Sequence, residues 1–347
     1  MKVQNLMPTV ADRLQKEEEF FDKNFMMSYS GLNKLLYSPR LFYLHYILGQ
    51  RDDATDKFAI EGKLIHCLFL KPDDFDKEFA LSIADVPSDN PKTLLDRLFV
   101  HYKELNAAGD PRENLEHFEH AILDILKDMN LYQTLKTDAQ RVEKIITERH
   151  VAYWDHLKNG EGKILVDPDT FAQCNAIVEE IKSKDNVMSI MGYRPDFGQD
   201  IKLQNEIELA AFDDKYPLFG LRGFIDNLVI DHTNKVIRVN DLKKSSKDIS
   251  SFPESIEYYK YWMQAAMYYM LICNVYLFKP EYSDYKFEFR FIVVDNYLQI
   301  APIRVSNETL KEWVKKTQAL LDQAHYHFDN KNFDLPYEFL INDEIVL

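Results

Sequence analysis

Glycine is scarce in this chain, ten in 347 residues, and proline contributes only thirteen. No stretch is low in complexity and no repeat is visible, which argues against solenoids and long flexible linkers. Cysteine is scarcer still. Cys67, Cys174 and Cys273 are scattered, odd in number and free of any CxxC spacing. That disfavours a disulfide framework and a zinc or iron–sulfur site, and predicts three buried, reduced thiols. Long apolar runs are missing too. The longest, Met267 to Phe278, falls well short of the ~20 residues that span a bilayer. The opening residues hold no apolar signal core, so a cytoplasmic protein without membrane contact is expected. Positive charge is in deficit, with a formal net charge of −15. Such a chain does not coat DNA or anionic lipid non-specifically. A nucleic-acid enzyme stays open, because local charge decides that. Between Lys235 and Lys247 the balance reverses: Lys235, Arg238, Lys243, Lys244 and Lys247 face Asp241 alone.

What is abundant is apolar and aromatic. Hydrophobic residues make up 46% of the chain, with 23 Phe and 20 Tyr, enough for a sizeable core rich in rings. Met27–Gly49 reads as two short helices, capped by Ser28 or Ser30 and by Ser38 before Pro39. Phe58–Pro72 reads as a helix stopped near its proline. From about 92 to 190 the pattern is helical, with Leu115, Phe118, Ile122, Ile125 and Leu126 near a 3.6-residue period. Near residue 200 the period changes to two. Three strands follow, "KLQNEIELAAF", "LFGLRGFIDNLVID" and "KVIRVNDLKK", the last two joined by a polar turn. A long aromatic helix from Glu257 to about Asn274, a hairpin around Asn296, and a final helix capped by Ser306 complete the chain. The order β-β-β-α-β-β-α marks an α/β core behind a mostly helical half.

Asp226 and Asp241 fall on adjacent strands. Strands lie about 4.8 Å apart, so the two carboxylates can converge on one divalent ion. Asp241 and Lys243 share a strand face because the side-chain period is two. Magnesium takes about six oxygens, one or two from carboxylates. It activates water for attack on phosphorus, with the ammonium of Lys243 orienting that water or neutralising the phosphate. The plainer alternative is a surface ion pair between Asp241 and Lys243, worth at most ~1 kcal/mol.

Gly-x-x-Asp, a turn, then Asp-x-Lys resembles the PD-(D/E)XK nuclease superfamily. Gly62-x-x-x-His66 and Gln264-x-x-x-Tyr268 are similar to motifs of its RecB and RecE branches, and "SYSGLNKLLYSPRLF" to the opening of exonuclease VIII-type domains. The likeness covers roughly residues 27–70 and 200–275. It implies a restriction-endonuclease-like mixed sheet flanked by helices, with a large helical N-terminal and inserted region. It implies His66, Asp226, Asp241 and the Leu242 carbonyl as metal ligands, with Lys243, Asp241 and Asp226 catalytic. It places Glu206, Lys244, Ser245, Gln264 and Tyr268 against DNA. Glu206 and Glu208 compete for the place of the upstream acid. Lys244 stands where many relatives carry a small hydroxyl. The four-cysteine iron–sulfur clamp of some relatives has no counterpart, and no GxxxxGK[ST] run signals a fused motor.

The resemblance thus implies a Mg²⁺-dependent deoxyribonuclease, with Mn²⁺ able to substitute and no iron–sulfur cluster. The leading reading is 5′→3′ resection of linear duplex DNA in phage-type recombination, alongside a single-strand annealing protein and as a homo-oligomer. The alternatives are a RecB-like single-strand exonuclease or endonuclease, and a non-catalytic DNA-binding or assembly factor on the same scaffold. Residues 1–200 are expected to form the helical region carrying His66 and residues 201–347 the nuclease core, integrated as one domain because no linker separates them.

Overall fold

The run Phe219–Asp231 is apolar on both faces and buried along nearly its whole length, as a central strand requires. The computed structural model describes residues 10–50, 57–83, 85–342 and 344–345. Its strands, numbered along the chain, are β1 (Phe25–Met27), β2 (Phe79–Leu81), β3 (Ile164–Val166), β4 (Ile201–Ala211), β5 (Phe219–Asp231), β6 (Val236–Lys244), β7 (Lys286–Val294) and β8 (Ile300–Val305). The chain divides into two units. One combines Met1–Lys71 with Ile177–Leu347, and the other is the continuous segment Pro72–Ala176. This differs from the boundary expected at 200. The described residues up to Lys71 belong with the strands because Met27, Leu32, Leu35 and Phe42 are buried in the same core as β5 and β7.

The first unit carries a mixed six-stranded sheet in the order β1-β5-β6-β7-β8, with β4 along the other side of β5. β4 and β8 run antiparallel to their neighbours, while β6 and β7 are parallel across a helical crossover. β5 and β6 form a hairpin that stays paired only from Asp231↔Val236 to Asn227↔Asn240. β1 takes up the same side of β5 again at Phe219–Leu221. Between these two pairings, from Arg222 to Asp226, that side of β5 has no partner strand among the described residues, and β5 and β6 part there like a fork.

The helix Tyr261–Ile272 fills the fork. It is buried on almost every side, so its sequence shows no polar stripe. It approaches so closely that a Cβ on Gly223 would lie 2.7 Å from the Tyr268 ring, which is why only glycine fits there. The expected single helix from Glu257 is in fact two, Phe252–Tyr258 and Tyr261–Ile272. Lys260 breaks them with a left-handed φ of 55°. The break lets Tyr261 pack against Phe252 and Phe291 while Tyr258 faces solvent. Local caps follow the sequence. Ser28 accepts from Gly31 N at 3.1 Å, Ser38 from Leu41 N at 3.2 Å ahead of Pro39, and Ser306 from Thr309 N at 3.0 Å.

The second unit is mostly helical. Asp89–Ala107, Glu119–Asp128 and Glu148–Gly160 enclose a core of Leu94, Leu98, Ile122 and Trp154. The Trp154 indole N–H donates to Glu113 O at 2.7 Å. The parallel pair β2–β3 also lies here. No helix among the described residues is long and apolar enough to cross a membrane. All three cysteines are buried and unpaired with one another.

Candidate functional site

The fork is where the chemistry gathers. β5 delivers Asp226 at its opening, β6 delivers Asp241, Leu242 and Lys243, and the helix Lys57–Leu70 brings His66 over them. His66 Nδ1 lies 3.3 Å from Glu206 Oε1 and 3.7 Å from Asp226 Oδ1, while Nε2 lies 3.0 Å from the Leu242 carbonyl. The other Asp226 oxygen accepts the Leu242 N–H at 2.7 Å, replacing a ladder bond lost where the strands part.

Glu206 occupies the rung of β4 opposite Asp226, since Asn205 faces Asn227 and Ile207 faces Ile225. It has a φ of 48°, left-handed for a non-glycine residue inside a strand. Such backbone costs about 1–3 kcal/mol and persists where surrounding structure holds it. Here it accompanies a carboxylate turned toward His66. Glu208 is solvent-exposed. The structure thus gathers Glu206, and not Glu208, with the other acids.

Asp241 is fully buried. Lys243 Nζ approaches it at 2.5 Å, and the same ammonium lies 4.9 Å from the centroid of the Tyr261 ring. Burial alone would lower the lysine's pKa. Asp241 and Asp226 reverse that and hold the ammonium charged. Burial likewise opposes charge on His66, but Asp226 and Glu206 outweigh it and raise its pKa above the ordinary imidazole value. Asp226 is pushed above the usual carboxylate range by burial, with His66 pulling it back and Asp241 adding to the rise.

The donor set fits a small divalent cation. One ligand atom each from His66, Glu206 and Asp226 lies within 4.8 Å of the others. Both Asp241 oxygens are buried without a well-formed hydrogen bond, an arrangement that calls for a cationic partner beyond the single lysine. An imidazole together with carboxylates is a donor set that divalent metals take.

The remaining expected contacts lie differently. Lys244 is held by Glu61 of the His66 helix in a largely buried ion pair, with its ammonium 5.8 Å from the centroid of the Phe58 ring. The Ser245 hydroxyl closes a turn, donating to Lys247 O at 2.9 Å and accepting from Lys247 N at 3.2 Å. Gln264 and Tyr268 share a helix face but are buried. Gln264 Nε2 donates to the Tyr268 hydroxyl, which donates to Phe224 O at 2.5 Å in the stretch of β5 that β6 leaves. Gln264 Oε1 is buried with no hydrogen-bond partner. Tyr261 and Glu61 were not anticipated. Tyr261 lies three residues before Gln264 on one helix face, a spacing that exposes the link in hindsight.

The site opens into a cleft of about 1030 Å³ lined by Gly62, His66, Lys243, Lys244, Ser245 and Tyr258, among others. Phe58 is 62% exposed and Tyr258 80% exposed, and both line it. Rings and lysines beside a cluster of acids suit a polyanion carrying flat bases.

A crystal structure described as "Putative exonuclease" from Eubacterium rectale aligns over 94% of this chain and 88% of its own. It shares 13% identity, with a TM-score of 0.43. The structure of SSO0001 aligns over 50% of this chain and 79% of its own, at 11% identity and a TM-score of 0.23. Both likenesses are too remote to argue from. No curated protein matches the sequence. The sequence profile of the PD-(D/E)XK nuclease superfamily, by contrast, matches residues 26–331. That span holds the sheet strands β4 to β8 entire, all of β1 but its first residue, and every residue of the acid–histidine–lysine cluster, and the chain belongs to the PD-(D/E)XK nuclease superfamily.

Proposed function

We propose that this nuclease is a Mg²⁺-dependent DNA exonuclease of the RecE-like, exonuclease VIII type, resecting linear duplex ends 5′→3′ in phage-type recombination. The observation that carries the metal-dependent reading is the convergence of His66, Glu206 and Asp226 beside the Asp241–Lys243 pair. The exonuclease reading also rests on the Gly62-x-x-x-His66 and Gln264-x-x-x-Tyr268 motifs.

In this reading His66, Glu206 and Asp226 would hold the cation, beside the Asp241–Lys243 pair. When bound, the cation supplies an activated water and neutralises charge on the phosphate. Lys243 stays protonated through its acids and sets its ammonium against the scissile phosphate, where negative charge grows. The Leu242 carbonyl is fixed beside the cluster by His66. Glu61 keeps the ammonium of Lys244 beside the cleft. Gln264 Oε1 remains for substrate or an ordered water. A single-strand annealing protein and assembly into a homo-oligomer extend the same proposal.

The test is digestion of linear and covalently closed circular DNA with Mg²⁺ by wild type, Asp241→Ala and Lys243→Ala. Wild type should degrade the linear form alone, and both variants should lose activity. Cutting of the circle would replace the end-dependent reading with an endonuclease. Equal activity in all three would remove the site assignment.

A further inference from the structure

Beneath the three acids lies a row of three amides that the nuclease reading does not use. Asn205 precedes Glu206, Asn227 follows Asp226 and Asn240 precedes Asp241. They face one another across β4, β5 and β6 in direct register. Asn240 Nδ2 donates to Asn227 Oδ1 at 2.6 Å, and Asn227 Nδ2 donates to Asn205 Oδ1 at 3.0 Å. The row is tied at its flanks. Asn240 also donates to Ile190 O at 3.3 Å, and Asn227 to Met191 O at 3.1 Å. Asn205 donates to the Tyr193 hydroxyl at 2.7 Å and to Leu70 O at 3.0 Å. Leu70 ends the helix that carries His66, one turn beyond it.

Asn227 and Asn240 are both fully buried. Apolar residues of equal size would fill the same space without needing partners, so a chain of buried amides contributes specificity more than net stability. Here it specifies register. Successive side chains on a strand point to opposite faces, so an amide pinned below fixes its neighbouring acid above. A slip of one residue would send the acids to the wrong face. The Asn227–Asn240 rung is also the last before β5 and β6 part, and the next residues on the two strands are Asp226 and Asp241.

We infer that Asn205, Asn227 and Asn240 are positioning residues. Their amide ladder sets the spacing of Glu206, Asp226 and Asp241, and through Leu70 the height of His66, and so sets the affinity of the site for its cation. This rests on the metal-site reading above. Its test is calorimetric titration of Mn²⁺ into wild type, Asn227→Leu, Asn205→Ala and Leu321→Ala, each held well below its own Tm. Leu321 is fully buried in the helix Asn307–Asp329, which carries none of the ladder's residues, and its truncation is expected to lower stability alone. Asn227→Leu should weaken Mn²⁺ binding by roughly ten- to a hundredfold, the range that outer partners of metal ligands command. Asn205→Ala should weaken it by a smaller factor, and Leu321→Ala should leave it unchanged. Wild-type affinity in Asn227→Leu, or equal weakening in Leu321→Ala, overturns the inference while leaving the metal site intact. If Asn227→Leu does not fold, wild-type affinity in Asn205→Ala overturns it instead. Absence of Mn²⁺ binding by the wild type removes the metal reading and the ladder's role together.

Discussion

Lys243 is the most exposed to test at the scale of single residues. Among the described residues its ammonium is the counter-charge paired with the buried Asp241. Removing one partner of a buried pair costs about 3–5 kcal/mol, whereas removing both is often close to neutral. Lys243→Met should therefore lower Tm sharply. The double variant Asp241→Asn with Lys243→Met should recover most of that loss without recovering nuclease activity, and thermal melts beside a DNA digestion assay check both. A second residue speaks to pH. His327 is buried in the helix Asn307–Asp329 and bonded through Nδ1 to Asn332 O at 2.6 Å. Burial lowers its pKa below the ordinary 6.5. The folded state thus favours the neutral ring, so its stabilisation is present above pH ~6.5 and is lost as pH falls through the lower folded pKa. His327→Gln should flatten the slope of Tm against pH between about pH 6.5 and 5. An unchanged slope would assign acid sensitivity elsewhere.

At the scale of elements, Gly223 and Tyr268 make the decisive contact. Gly223→Ala forces the Tyr268 ring away and strains its hydroxyl bond to Phe224 O. Overpacking of this kind costs about 1–3 kcal/mol, read from the denaturation midpoint at unchanged m-value. The cleft gives a further prediction. Tyr258→Ala should raise KM for DNA severalfold and leave kcat nearly unchanged, because base stacking contributes about 1–3 kcal/mol to binding and none to the chemistry. Most of these elements were legible beforehand. The strands carrying Asp226 and Asp241 announce themselves by alternation and by buried runs, and the helix of His66 ends near its proline. The three-residue strands β1, β2 and β3 were not foreseen, because a period of two cannot be established over three residues. Nor was the break at Lys260, which tertiary packing of Tyr261 imposes against local preference. Glu206 could not be separated from Glu208 by alternation. Both point to one face of a regular strand, and only the left-handed turn at 206 distinguishes them. The pairing of Lys244 with Glu61 was not legible, because the two lie 183 residues apart.

At the scale of the whole molecule, charge governs. A protein of net charge −15 must hold a polyanion by a few concentrated positives and a bridging cation. Affinity for DNA should fall steeply as salt rises, since counterion release scales with the phosphates neutralised. Fluorescence anisotropy across a salt series measures the slope, and a flat response would count against a basic channel. The division of the chain bears on assembly as well. The unit that holds the site is interrupted by the continuous segment Pro72–Ala176, so the imidazole of His66 precedes the Leu242 carbonyl it touches by 176 residues. During synthesis at about 5–20 residues per second, that gap lasts roughly 10 to 35 seconds. For that interval the emerging polypeptide carries half a cutting apparatus. The ribosome releases no competent blade until the hairpin of β5 and β6 has left the exit tunnel and closed against a helix made long before it.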